Sequence, residues 1–151
     1  MLSLSEFRVP GSHDYKKYEM SAEERSDILT VQDIKCLVDH FYNDVKSDEL
    51  LGPVFNERIK DRWPEHLEKM YSFWRTVLFN QRHYRGTPFP AHATLAIEHI
   101  HFQRWLQLFD KSVDGQFEGN KAEEAKLKAR KIAQIFEAKI GYCRTYGYDS
   151  A

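Results

Sequence analysis

Trp63-Pro64-Glu65-His66 opens the stretch whose reading decides the fold. It continues as an apolar run to Phe79, passes through Pro88-Phe89-Pro90-Ala91-His92 and closes on His101-Phe102-Gln103-Arg104-Trp105-Leu106. Trp63, His66, Leu67, Met70, Phe73, Trp74, Val77 and Leu78 recur at helical intervals and mark one face of an amphipathic helix. Pro64 falls in its first turn, where a missing N–H costs nothing. Glu65, Glu68, Lys69 and Arg75 lie mostly off the stripe. His66 therefore faces a core. So does His92, on a short helix whose start Pro88 and Pro90 restrict. A core keeps an imidazole only when its nitrogens find partners. Two imidazoles on consecutive helices, among aromatic rings, ask for something between them.

Helical periodicity extends to both sides. Ile34, Leu37, Val38, Phe41, Tyr42 and Val45 form the apolar face of a helix that Thr30 and Asp33 cap. Upstream, Ser21 and Glu24 have the form of a capping box and predict a short helix ending near Thr30. Asp48 to Pro53 reads as a tight turn or a single helical turn, Phe55 as a ring at a loop corner, and residues 56–62 as irregular. Residues 80–87 are polar, contain Gly86 and read as a loop. Phe102, Trp105, Leu106 and Phe109 mark a further helix. Asp114-Gly115 and Gly119 predict a hinge-like loop, after which Asn120 with Glu123 caps the last helix. Its seam is Ala125, Ala129, Ile132, Ala133, Phe136 and Ile140, with alanines that allow close helix approach. No strand alternation and no internal repeat appears. The fold class is all-α, with an N-terminal extension over 1–20, flexible or loosely docked, one domain over 21–146 and a tail over 147–151.

A chain of 151 residues suits one domain around one core. Its 22 basic and 23 acidic side chains give a net charge of -1, so electrostatics offers no reason to expect nucleic acid or an anionic membrane. No stretch reaches the length of a membrane span. No secretory segment is evident before Val9, and the expectation is a cytoplasmic monomer with Cys36 and Cys143 as reduced thiols. Rings make up 14% of the chain, a composition that wraps flat apolar ligands or simply fills a core.

The pair His66 and His92 fits a haem site better than a plain core. Such a site needs one axial nitrogen, an apolar slot and a distal side that governs what binds. His92 suits the axial role as a neutral imidazole. Tyr42, His66 and Trp105 supply three donors on the opposite side. Phe41, Phe55, Met70, Phe73 and Val77 read as the walls of the slot, and Lys69 as a cation placed to reach a haem propionate. His99 and His101 read as surface residues, His40 and His83 as polar-face or loop residues, and His13 as part of the extension.

Phe41-Tyr42, the run Trp63-x-x-His66-x-x-x-Met70-x-x-Phe73-Trp74, Pro90-Ala91-His92 and Phe102-x-x-Trp105-Leu106 occur together in this order. Over about residues 30–140 the chain thereby resembles the truncated haemoglobins, and their third group most. The glycine pairs that mark the first two groups are absent, as in the third. The resemblance implies a shortened globin, a two-over-two helical sandwich with haem b. It implies His92 as the proximal iron ligand, Tyr42, His66 and Trp105 as distal residues, and Phe55 as the ring that props the haem at a helix corner.

Three functions follow as expectations. The first is a haem protein that binds oxygen, carbon monoxide or nitric oxide, with the ligand held by Tyr42, His66 and Trp105; three donors favour slow release, which suits ligand chemistry or sensing better than oxygen transport. The second is an enzyme acting on peroxide or nitric oxide, with electrons from a separate reductase. The third is a haem-free helical interaction module whose rings are plain core.

Overall fold

Thr30 starts the first helix because its hydroxyl accepts the Asp33 backbone N–H at 3.1 Å, while the Asp33 carboxylate takes the N–H groups of Thr30 and Leu29 at 2.9 Å. Helix α1 then runs Val31–Ser47 and buries Ile34, Leu37, Val38, Phe41, Tyr42 and Val45, the face that the periodicity marked. The computed structural model describes residues 25–81, 89–92 and 96–147. Among these it forms α2 (Leu51–Ile59), α3 (Trp63–Phe79), a single turn α4 (Phe89–His92), α5 (His99–Gln116) and α6 (Asn120–Tyr146). Helix α1 packs on α3 and α5 on α6, and the two pairs meet where α1 crosses α5 and α3 crosses α6. This is the all-α, two-over-two arrangement expected. No described helix is long and apolar enough to cross a membrane.

Four local expectations are corrected. The helix predicted to end near Thr30 is absent in its described part: residues 25–30 are extended, and the Ser26 carbonyl accepts the Glu118 N–H at 3.0 Å. The Ser21–Glu24 cap, the extension 1–20, most of the 80–87 loop, His13, His83 and the last four residues of the tail lie outside the described residues. The turn and irregular segment expected over 48–62 is largely helix α2. Asp48 caps it, accepting the N–H groups of Leu50 and Leu51 at 3.0 and 2.9 Å. The polar run Asn56-Glu57-Arg58 is this helix's exposed face, with Ile59 buried behind it. The Asp114–Gly115 hinge is the last turn of α5, held by buried Ser112 and Val113. Finally, α6 is capped by Asp27 and not by Asn120.

That cap ties the start of the described chain to the start of its last helix. The Asp27 carboxylate accepts the backbone N–H groups of Lys121 and Ala122, both at 2.8 Å. Gly119 turns the backbone there with φ 145, and a Cβ on it would strike the Asp27 carboxyl carbon at 2.5 Å. Burial works to raise the Asp27 pKa. The three backbone N–H groups it accepts and the nearby Lys121 ammonium outweigh that and hold it below its ordinary value. Behind this cap, Ala122, Ala125, Ala129 and Ala133 line the buried face of α6.

Replacing Asp27 with Ala leaves two N–H groups at the start of α6 without acceptors. The expected loss is about 1–2 kcal/mol of unfolding free energy in urea. In the parent protein this contribution is present above the ordinary carboxylate range and fades as pH falls through it, because the folded-state pKa is the lower one; the variant should lack that part of the pH dependence.

Candidate functional site

A cavity open to solvent on one side lies between the helix pairs. Tyr42 reaches it from α1, Leu51 and Phe55 from α2, and His66, Met70, Phe73 and Trp74 from α3. His92 enters from α4, Ile97 from the linker, His101, Phe102 and Trp105 from α5, and Ile132, Ala133 and Phe136 from α6.

One side of the cavity is a cluster of rings around Tyr42. The His66 ring stands edge-on to Tyr42 at 5.0 Å and to Trp63 at 5.5 Å, and Phe55 lies 6.3 Å from Tyr42. Trp63 is held from outside, with Lys46 Nζ 4.5 Å from its ring centre and its indole N–H donating to Asn56 at 3.3 Å. On α6, Phe136 packs against His92 at 4.8 Å and against Phe89 at 5.7 Å. Trp105 stacks on Phe109 at 5.5 Å and lies edge-on to Phe41 at 5.3 Å.

The electrostatics follow from burial. His66 is lowered to about 4, first by desolvation, then by the neighbouring His92 and Lys69 charges. It is therefore neutral near pH 7. Its Nε2 is buried and has no hydrogen-bond partner among the described residues. Burial alone pushes the Tyr42 phenol well above its ordinary value, so its hydroxyl keeps its proton.

Of the residues expected at a site, Tyr42, Phe55, His66, Met70, Phe73, His92 and Trp105 line this one cavity. Phe41 sits one layer behind, fully buried against Tyr42, Trp105 and Phe109. Val77 is half-buried against the core and does not line the cavity. Lys69 is exposed and outside the lining. His40, read as a polar-face residue, is buried; its Nδ1 lies 3.0 Å from Ser112 Oγ across the α1–α5 contact. His99 is exposed and pairs with Glu137 at 2.7 Å, as a surface residue does. His101 is a cavity residue that sequence reasoning missed. Trp74, Phe102, Ile132 and Phe136 were marked only as core stripes, because helical spacing cannot separate a core wall from a pocket wall.

An apolar slot whose few polar groups include three imidazoles, one with a buried unpartnered nitrogen, fits a flat apolar cofactor with a nitrogen-binding centre. Among the described residues, no three His, Cys, Asp or Glu side chains gather as a bare ion would require. A metal already held by a macrocycle needs far fewer protein ligands.

The chain also resembles known proteins in sequence and fold. The model of the family described as Bacterial-like globin matches residues 27–137. The Group 3 truncated hemoglobin of Campylobacter jejuni is 30% identical over 113 residues, which cover 72% of this chain and 89% of that protein. The crystal structure of a group III truncated hemoglobin from Campylobacter jejuni superposes with a TM-score of 0.71 at 28% identity, covering 77% of this chain and 94% of that one.

The depressed His66 pKa has a measurable signature in the cofactor-free protein. Between pH 6.5 and about 4, the unfolded chain takes up a proton at His66 that the folded chain refuses. Stability should fall with pH across that window by about 3 kcal/mol, at roughly 1.4 kcal/mol per pH unit. His66→Leu should remove this slope, and an NMR titration should place the parent imidazole near 4.

Proposed function

The chain belongs to the bacterial-like globin family, in the third group of truncated haemoglobins, and from that premise we propose that its cavity holds haem b for the binding of small diatomic gases. The observation that carries the proposal is the buried, unpartnered Nε2 of His66 beside Tyr42, in a cavity that His92 also lines. Haem, when bound, supplies an iron centre that takes one nitrogen from the protein and one small ligand.

His92 is the residue assigned to the iron, through a neutral imidazole. Phe136 packs against that ring and limits its rotation. Leu51, Phe55, Met70, Phe73 and Ile97 line the cavity and would keep water from the bound group. Tyr42, His66 and Trp105 are assigned to the ligand. The Tyr42 hydroxyl stays protonated and can donate. His66 is neutral and so has one ring nitrogen as donor. The Trp105 indole can only donate. A diatomic ligand that draws electron density becomes a better acceptor, and donors around it slow its loss.

The enzymatic alternative uses the same residues. Peroxide cleavage asks His66 to move a proton, and a base works best with a pKa near the operating pH. His66 is neutral at pH 7 and could take that proton, whereas ligand retention asks for no proton movement at all. Ligand retention is therefore the preferred reading. Nitric oxide turnover would combine the held oxygen with nitric oxide and one electron from a separate reductase to give nitrate.

Two outcomes test the assignment. His92→Ala should release hemin roughly tenfold faster or more, read by transfer to an acceptor protein; that factor corresponds to about 1.4 kcal/mol. Unchanged retention removes His92 from the iron, and a folded parent protein that shows no Soret band with hemin ends the haem reading. Tyr42→Phe removes one neutral hydrogen bond worth about 1 kcal/mol, so oxygen should leave about fivefold faster in stopped flow; an unchanged rate takes Tyr42 out of the distal set.

A further inference from the structure

His101 is the cavity imidazole to which no task has been given. It stands in the first turn of α5, half-buried, and lines the cavity with Ile97, Phe102 and Phe136. Its Nδ1 accepts the backbone N–H of Glu98 at 2.9 Å, while the Glu98 carboxylate takes the His101 backbone N–H. The two residues cap the helix reciprocally. The His101 ring makes no other hydrogen bond or ion pair among the described residues.

This cap decides a chemical question before any ligand is present. A ring nitrogen that accepts an N–H offers its lone pair and carries no proton. In the neutral imidazole the proton then sits on Nε2. While the cap stands, Nε2 has no lone pair to give to a metal, so His101 is a donor and not a second iron ligand. Tyr42 is buried and His66 Nε2 is sealed from solvent. His101 is instead partly open to water. A cofactor whose edge carries ionised carboxylates places them at such a margin, where they keep part of their hydration.

Resting on the haem reading above, we infer that His101 donates through Nε2–H to a carboxylate at the edge of the bound haem, the role that the sequence suggested for Lys69. The bond is charge-assisted, and so stronger than the neutral contacts elsewhere in the cavity. Lys69 is exposed and outside the cavity wall, where its ammonium is hydrated and screened. The Glu98 cap also holds the His101 ring in place, so little rotamer freedom remains to be lost on binding.

The test compares hemin with hemin dimethyl ester, whose carboxylates are masked. Loss of each from the full chain is followed by transfer to an acceptor protein, for the parent, His101→Phe, His101→Gln and Lys69→Ala. The parent should keep hemin longer than the diester. His101→Phe should narrow that preference about tenfold, as expected for a hydrogen bond to a charged group, and His101→Gln, which retains an N–H donor, should restore most of it. General damage to the cavity would speed the loss of both porphyrins alike and leave the ratio unchanged, which would overturn the proposal. So would a ratio that collapses in Lys69→Ala and survives in His101→Phe. Nitrogen-15 NMR of the haem-free protein gives a second reading: a proton on Nδ1 of His101 would also overturn it. A parent that takes up neither porphyrin would sink the haem reading and this proposal together, whereas hemin bound with no carboxylate preference would sink this proposal alone.

Discussion

Everything in this fold leans on the ring of Phe109. It is fully buried where three helices converge. Trp74 of α3 stacks on it at 4.9 Å, Trp105 of α5 stacks on it at 5.5 Å, and Phe41 of α1 meets it edge-on at 5.2 Å. Such a cluster is stiff, because each ring has few rotamers and its neighbours occupy the alternatives. Two of its members, Trp74 and Trp105, present their other sides to the cavity. The cavity is thus the far face of the core and not a gap in it. Helix pairs that closed on aliphatic side chains would have more freedom to collapse inward; here the rings fix the separation.

That apolar enclosure also sets the charge state of what it encloses. Burial lowers His66 and raises Tyr42, two shifts of opposite sign with one result: neither group carries charge near pH 7. A neutral imidazole and a protonated phenol can each hold a polarised ligand by a hydrogen bond. The same desolvation thus keeps both polar groups of this wall uncharged.

Much of this was legible in the chain. Helical spacing located α1, α3, α5 and α6, and the quoted aromatic and histidine positions brought Tyr42, His66, His92 and Trp105 to one cavity. What escaped depended on partners distant in sequence. Asn56 to Arg58 looked like a loop because the exposed face of a short helix is as polar as one. Asn120 looked like the cap of α6 because the true cap, Asp27, lies more than ninety residues away. His40 looked solvated because its partner Ser112 is on another helix. His101 looked like surface because no periodicity shows that a ring is locked by the backbone one turn earlier. Short-range pattern reports which face is apolar. It does not report which polar side chain has been recruited to serve a backbone elsewhere.

The Asp27 bridge carries a consequence for how this protein is made. Ribosomal synthesis delivers Asp27 early, yet the amides that it serves belong to residues 121 and 122. Until those emerge, the extended lead-in has no helix end to hold, and α6 in turn begins with its first amides already spoken for by a segment waiting upstream. Contacts of such long sequence separation are slow to form. Closure of the globule is thereby a late event in the life of the nascent polypeptide, and the hydrophobic slot is shut only when its most distant wall has left the tunnel.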